Sequence, residues 1–192
     1  RDGRARLVER HLRRLAAGAA ALELPAPDPA ALRAAVGVAE SAWSATRPGE
    51  GMLRIAYSRG RESAPGSPPT CYLTVTPVAE RVAQVRRSGI SVITLDRGFD
   101  VDAAVRAPWL LAGIKALAYA GNTAALRYAA ARGADDALFL AADGTVLEGP
   151  RSSVVIARRG ELLTPPSGLP ILPGTTVAAL FDYVSARGVP AR

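Results

Sequence analysis

The chain of 192 residues has one cysteine, one histidine, one methionine and one lysine. Each scarcity excludes something. A single Cys71 rules out an internal disulfide, a Cys-x-x-Cys redox pair and a cysteine-based zinc cluster, and no metal is expected. Aromatic residues are only 5% of the chain, so stacking platforms for nucleic-acid bases are scarce. No apolar run approaches the ~18–20 residues of a membrane span, and the start shows no n-region, h-region and cleavage-site pattern. The expectation is a soluble, cytoplasmic protein that binds neither membrane nor nucleic acid. The net charge of +7 does not alter this, because the arginines come in ones and twos rather than along one basic helix.

What is present is an ordinary globular balance, 49% hydrophobic and 21% charged, enough for a real core. Apolar residues at 8, 12, 15, 19 and 22 form one stripe and predict a helix over 6–22. Asp28 followed by Pro29 predicts the start of a second helix, reaching about Ala45. "MLRIAYSRG" and "TCYLTVTPV" read as strands around a loop at 60–69, "VAERVAQVRRSG" as a short helix and "ISVITLD" as a strand. Residues 96–112 have no steady period and read as a linker between two lobes, 1–105 and 106–192. Beyond Lys115, "ALAYAGNTAALRYAAARG" predicts a helix ending at Gly133. Two hairpins follow, turning at Asp143-Gly144 and at Arg159-Gly160, and a last helix runs from near Gly174 to before Gly188. The chain begins almost at once in a helix and stops soon after one, so a domain incomplete at both ends is expected.

The one lysine is the sharpest feature. The other 23 of the 24 basic residues are arginine, yet Lys115 stands in the apolar run "WLLAGIKALAYAG". Buried, an amine loses protonation and gains a free lone pair, the state a Schiff-base lysine needs. The plainer reading is a lysine at a helix start that covers apolar surface with its stem. Glu148, in "VLEGPRSSVV", is a lone acid at a strand end, and reads equally as a solvated turn residue. In "ILPGTTVAALF", Gly174 permits close backbone approach, and Thr175 and Thr176 offer hydroxyls and N–H groups at a helix start. That is a phosphate seat or simple N-capping. Arg14 lies beside the apolar stripe of the first helix, able to reach a site or to remain a surface arginine.

Taken as a set, the lysine, the helix after it, "GADDALFLAADGTVLEGPRSS", "LLTPP" and "ILPGTT" resemble the fold-type IV pyridoxal-phosphate enzymes, the class IV aminotransferases with aminodeoxychorismate lyase. The resemblance is strong over 106–188 and looser over 6–60. It implies an α+β fold like that of D-amino-acid aminotransferase, with a small N-terminal α/β lobe and a larger C-terminal lobe. It also implies pyridoxal 5′-phosphate as cofactor and a homodimer whose partner closes the substrate side. By matching position, Lys115 would carry the cofactor covalently and shuttle the substrate proton. Glu148 would pair with the pyridine nitrogen and keep it protonated. Gly174, Thr175 and Thr176 would cradle the phosphate with Arg14 as its charged partner. Leu172 would pack near the ring face and Ser152 near the Glu148 end; Tyr119 is a further candidate in the cofactor region. The stretch after the lysine, Ala-Leu-Ala-Tyr, departs from the Gly-Gly-Asn-Tyr of branched-chain enzymes, and Val154 follows the serines where aminotransferases often have Asn. These features favour a 4-amino-4-deoxychorismate lyase, forming pyruvate and p-aminobenzoate, over a branched-chain or D-amino-acid aminotransferase. A non-catalytic member would be favoured only by loss of Lys115 or Glu148, and both are present.

Overall fold

The computed structural model describes residues 3–46, 49–64 and 66–192. Two compact units divide the chain, Arg1–Arg87 and Ser88–Arg192.

The first unit is two helices, a hairpin and all but the last residue of a third helix. Helix α1 (Val8–Ala21) buries Leu12 and Ala19, and α2 (Pro29–Thr46) buries Leu32 and Val36. Leu12 and Ala19 belong to the apolar stripe that the sequence displays. Asp28 caps α2, its Oδ1 accepting from Ala30 N–H at 2.8 Å and Ala31 N–H at 3.2 Å, with Pro29 at the first helical position, where no N–H is needed. Strands β1 (Gly51–Ser58) and β2 (Thr70–Pro77) pair antiparallel in register from Gly51↔Pro77 to Ser58↔Thr70. Just past β1, Arg59 donates to the carbonyls of Leu22 and Glu23 at 2.9 and 3.0 Å. A cation there satisfies chain carbonyls beyond the end of α1 and complements the negative end of its dipole.

The second unit is built of short strands and helices. Helix α3 (Glu80–Ser88) ends at the division, and β3 (Val92–Asp96) pairs in parallel with β4 (Asp136–Leu140), from Val92↔Asp136 to Asp96↔Leu140. β3 precedes the lobe joint expected at 105/106, yet this pairing places it with the later residues. Between them, the segment read as a plain linker contains a helical turn, α4 (Ala103–Arg106), and a 3₁₀ turn at Pro108–Leu110. Arg106 ties α4 to Asp100 and Asp102 at 2.8 Å each, which helps order a stretch with no hydrophobic period.

Helix α5 (Ala120–Ala130) starts four residues later than the sequence suggests. Residues 116–119 are good helix formers, but they turn instead, with Ala116 N–H on the Ile114 carbonyl at 3.0 Å and Tyr119 N–H on Leu117 at 2.8 Å. α5 faces β4 with alanines: Ala125 and Ala129 are buried against the strand layer, Ala129 completely. Small side chains let the helix axis come close to the strand. The core there is Ala125, Phe139, Ala141 and Leu147, with Leu95, Phe99 and Ile171 packed on it. β5 (Ile156–Arg158) and β6 (Glu161–Leu163) form the second hairpin, turning at Arg159 and Gly160, both left-handed. α6 (Thr175–Ser185) closes the unit.

Candidate active site

The chain that returns beside β4 after the turn at Asp143-Gly144 holds Glu148, and a slip in its pairing matters. Leu140 and Val146 are bridged, so regular pairing would next join Phe139 N–H to Leu147. Instead Phe139 N–H donates to the Glu148 carbonyl at 2.8 Å, while Leu147 N–H donates to the Phe139 carbonyl at 2.9 Å. Two residues oppose one, which is a β-bulge. Leu147 goes into the core at 1% exposure, while Glu148 is re-aimed and half-buried.

The Glu148 carboxylate accepts Leu172 N–H at 3.0 Å. This bond ties the bulge to the "ILPGTT" segment that leads into α6. Burial pushes the Glu148 carboxyl above its ordinary value, against the Leu172 hydrogen bond and the positive charges of Arg97 and Lys115. A carboxyl under that tension is stabilised by any further cation that comes against it.

Lys115 is exposed and lies in irregular chain before α5. The expectation of an amine held in apolar surroundings, or at a helix start, is therefore corrected. Its Nζ donates to Tyr119 Oη at 2.8 Å and stands 5.5 Å from the centre of that ring. The bend at 116–119 brings the two side chains together. Gly113 sets the approach of this segment: its φ is +81°, and a Cβ there would lie 2.8 Å from the Ile171 carbonyl oxygen. A residue other than glycine could adopt neither that angle cheaply nor that contact.

Gly174 is the N-cap of α6, and a Cβ on it would lie 2.7 Å from Ser153 Oγ. The first bond of the helix runs from Ala178 N–H to the Gly174 carbonyl at 3.0 Å. The N–H groups of Thr175, Thr176 and Val177 precede that ladder. Thr175 is buried and Thr176 exposed, so the two hydroxyls face different surroundings. Ser152 belongs to the tight turn after Glu148, its carbonyl accepting Gly149 N–H at 2.8 Å. Leu172 is half-buried beside the carboxylate it binds.

Eight of the nine candidate residues thus belong to the second unit, where a hydrogen bond joins Leu172 N–H to the Glu148 carboxylate and electrostatics connect Glu148 with Lys115. Arg14 is half-buried on α1, in the first unit. Two polar residues escaped the sequence reading, Arg97 and Asn122. Arg97 donates to Asn122 Oδ1 at 3.2 Å, and Asn122 Nδ2 donates to the Pro150 carbonyl. Among 23 arginines nothing in the sequence marks Arg97, and Asn122 looks like an ordinary early helix residue.

The chain resembles known proteins along its whole length. A family model described as amino-transferase class IV matches residues 1–192. A bifunctional aminodeoxychorismate lyase / D-amino acid transaminase of Mycobacterium tuberculosis is 53% identical over 195 residues, which cover 98% of this chain and 67% of that protein. A hypothetical aminotransferase from Mycobacterium tuberculosis, solved in a PLP-bound form, matches with a TM-score of 0.96 at 53% identity, over 100% of this chain and 67% of that one. The fold IV-transaminase CpuTA1 from Curtobacterium pusillum matches with a TM-score of 0.89 at 44% identity, over 100% of this chain and 65% of its own. The chain spans about two thirds of the length of each.

Proposed function

Because this chain belongs to the class IV aminotransferase family, a family of pyridoxal-phosphate-dependent lyases and transaminases, we propose that it acts as a 4-amino-4-deoxychorismate lyase, releasing pyruvate and p-aminobenzoate. The observation that carries this reading is the second unit's polar set: an exposed amine on Tyr119, a half-buried carboxylate on Leu172 N–H, and N–H groups at the start of α6. Amine, carboxylate and anion seat are the three partners that the aldehyde, ring nitrogen and phosphate of pyridoxal phosphate require. The glycine at the N-cap leaves the phosphate end open to close approach.

The bound group supplies an electron sink for a carbanion next to the amino nitrogen. The chain's own residues do the rest. Lys115 holds the cofactor and moves the α-proton, a task arginine cannot perform because its guanidinium does not give up its charge. Glu148 holds a proton on the ring nitrogen. Gly174, Thr175 and Thr176 receive the phosphate. Leu172 borders the ring face, and Ser152 the end near Glu148. The lyase works in the cytoplasm as a homodimer whose partner closes the substrate side, and places in the folate pathway follow from its product.

A second reading, D-amino acid transaminase, is favoured by the 53% identical relative, whose name carries both activities. The deciding experiment gives the purified full-length protein aminodeoxychorismate in one assay, and a D-amino acid with a 2-oxo acid in another. Release of p-aminobenzoate is the expected result. Amino transfer without p-aminobenzoate would replace the first reading by the second.

A further inference from the structure

We infer that Arg97 is a positioning residue for Glu148: a fixed cation, braced by two rings and by an amide that also holds the segment bearing the acid, whose charge favours a carboxylate at that place. The inference rests on the reading of Glu148 given above.

The brace is built from three elements. Arg97 directly follows β3, and its N–H donates to the Leu140 carbonyl at 2.8 Å. That bond extends the parallel pairing by one residue and sets the side chain beside Phe139. The guanidinium carbon lies 4.3 Å from the centre of the Phe139 ring and 5.4 Å from that of Phe99, contacts that attract a cation. Asn122, on α5, accepts from Arg97 through Oδ1 and donates through Nδ2 to the carbonyl of Pro150, two residues after Glu148. One side chain thus fastens both the arginine and the segment bearing the acid. Phe139 is also the residue that the bulge at Leu147 and Glu148 opposes, so ring, cation and acid share one frame.

Arg97 is half-buried and forms no ion pair among the described residues. Burial works against its charge, and the carboxylate of Glu148 works for it; the same holds for Glu148 with the signs reversed. Arg97 and Lys115 are the charged groups that act on Glu148. They differ in kind. Lys115 is the amine that reacts, so its charge changes during the proposed chemistry. A guanidinium stays charged throughout. Arg97 therefore supplies the constant part of the field at Glu148. A residue that merely covered the two rings would need a stem and no charge.

The test follows the side-chain carboxyl of Glu148 by carbon NMR during a pH titration of the full-length protein, with the signal assigned by its loss in Glu148→Gln. Titrations are run without and with pyridoxal phosphate. Without it, Arg97→Met is expected to raise the midpoint by about one pH unit or more, and Arg97→Lys to leave it near the wild-type position. With cofactor bound, the wild-type carboxyl should stay ionised to lower pH. If the midpoint in Arg97→Met matches wild type, the role given to Arg97 is overturned while that of Glu148 stands. If Arg97→Met moves the midpoint but the cofactor leaves the carboxyl unaffected, the reading of Glu148 fails, and the role of Arg97 fails with it. Should Arg97→Met not fold, Asn122→Ala carries the test. It frees the guanidinium and leaves both rings, and an unchanged midpoint there overturns the inference equally.

Discussion

Lys115 Nζ donates to Tyr119 Oη at 2.8 Å, although α5 begins only at Ala120. A spacing of four residues suggests one helical turn, but here a bend brings the two side chains together. The tyrosine hydroxyl gives the exposed amine a fixed direction. Removing it in Tyr119→Phe costs one hydrogen bond to a charged group, so turnover should fall about tenfold or more. Lys115→Arg keeps the charge and should abolish turnover. Borohydride reduction followed by peptide mapping should place a pyridoxyl group on Lys115. An unmodified Lys115 peptide from cofactor-saturated protein would sink this assignment, and a wild-type rate in Tyr119→Phe would show the hydroxyl to be incidental.

Glu148→Gln should keep the cofactor bound but slow α-proton loss by at least ~10²-fold, since the neutral amide no longer favours the ring proton. Single-turnover absorbance changes measure this step directly. Unchanged rates would leave Glu148 as a residue that only accepts the Leu172 N–H.

The same substitution should change stability with pH. Burial raises the folded-state value for Glu148 above its ordinary 4.5, so the folded protein holds this proton more tightly than the unfolded chain. The associated stability is fully present below the ordinary value and is lost as pH rises through the raised one. Cofactor-free Glu148→Gln, neutral throughout, should therefore gain on wild type as pH rises above the ordinary value. Urea denaturation over a series of rising pH checks it; a difference that is flat or shrinks with pH contradicts the burial argument.

Gly113→Ala should be costly. It forces a side chain into the left-handed region and against the Ile171 carbonyl, a backbone atom that cannot step aside. A loss of about 1–3 kcal/mol is expected from the backbone angle alone. Because Leu172 follows Ile171, the N–H that Glu148 accepts should move too, so cofactor affinity should weaken along with denaturation stability. A variant as stable as wild type would mean that the segment relaxes.

Leu147→Ala should cost about 2–5 kcal/mol by denaturation. Leu147 is 1% exposed and packs with Phe139 and Ala141. Its loss opens a cavity directly beneath the bulge that aims Glu148, so turnover should fall as well as stability.

Several elements were legible before folding. The stripe at Leu12 and Ala19, the Asp28 cap and the turn at Arg159-Gly160 each depend on a few adjacent residues, and local chemistry decides them. The start of α6 is of the same kind, fixed by a glycine, two threonines and the apolar run behind them. The site candidates were legible for another reason: a lone lysine stands out only against a composition that otherwise chooses arginine.

Other features were not readable, because their causes lie far away along the chain. Alanine and leucine at 116–118 favour a helix by propensity, yet that segment turns instead, just after Gly113 passes close to Ile171, and α5 starts only at Ala120. The parallel pairing of β3 with β4 joins residues about forty positions apart, and no local signal selects that partner. Arg97 illustrates the limit most plainly. As a letter it is one of many arginines. Its place between Phe99 and Phe139, with Asn122 reaching from it to Pro150, exists only once strand, helix and bulge meet. Residue types alone determined which chemistry this chain can perform. The tertiary contacts decided which charges act on Glu148, because an electric field depends on distances that neighbours in sequence do not set.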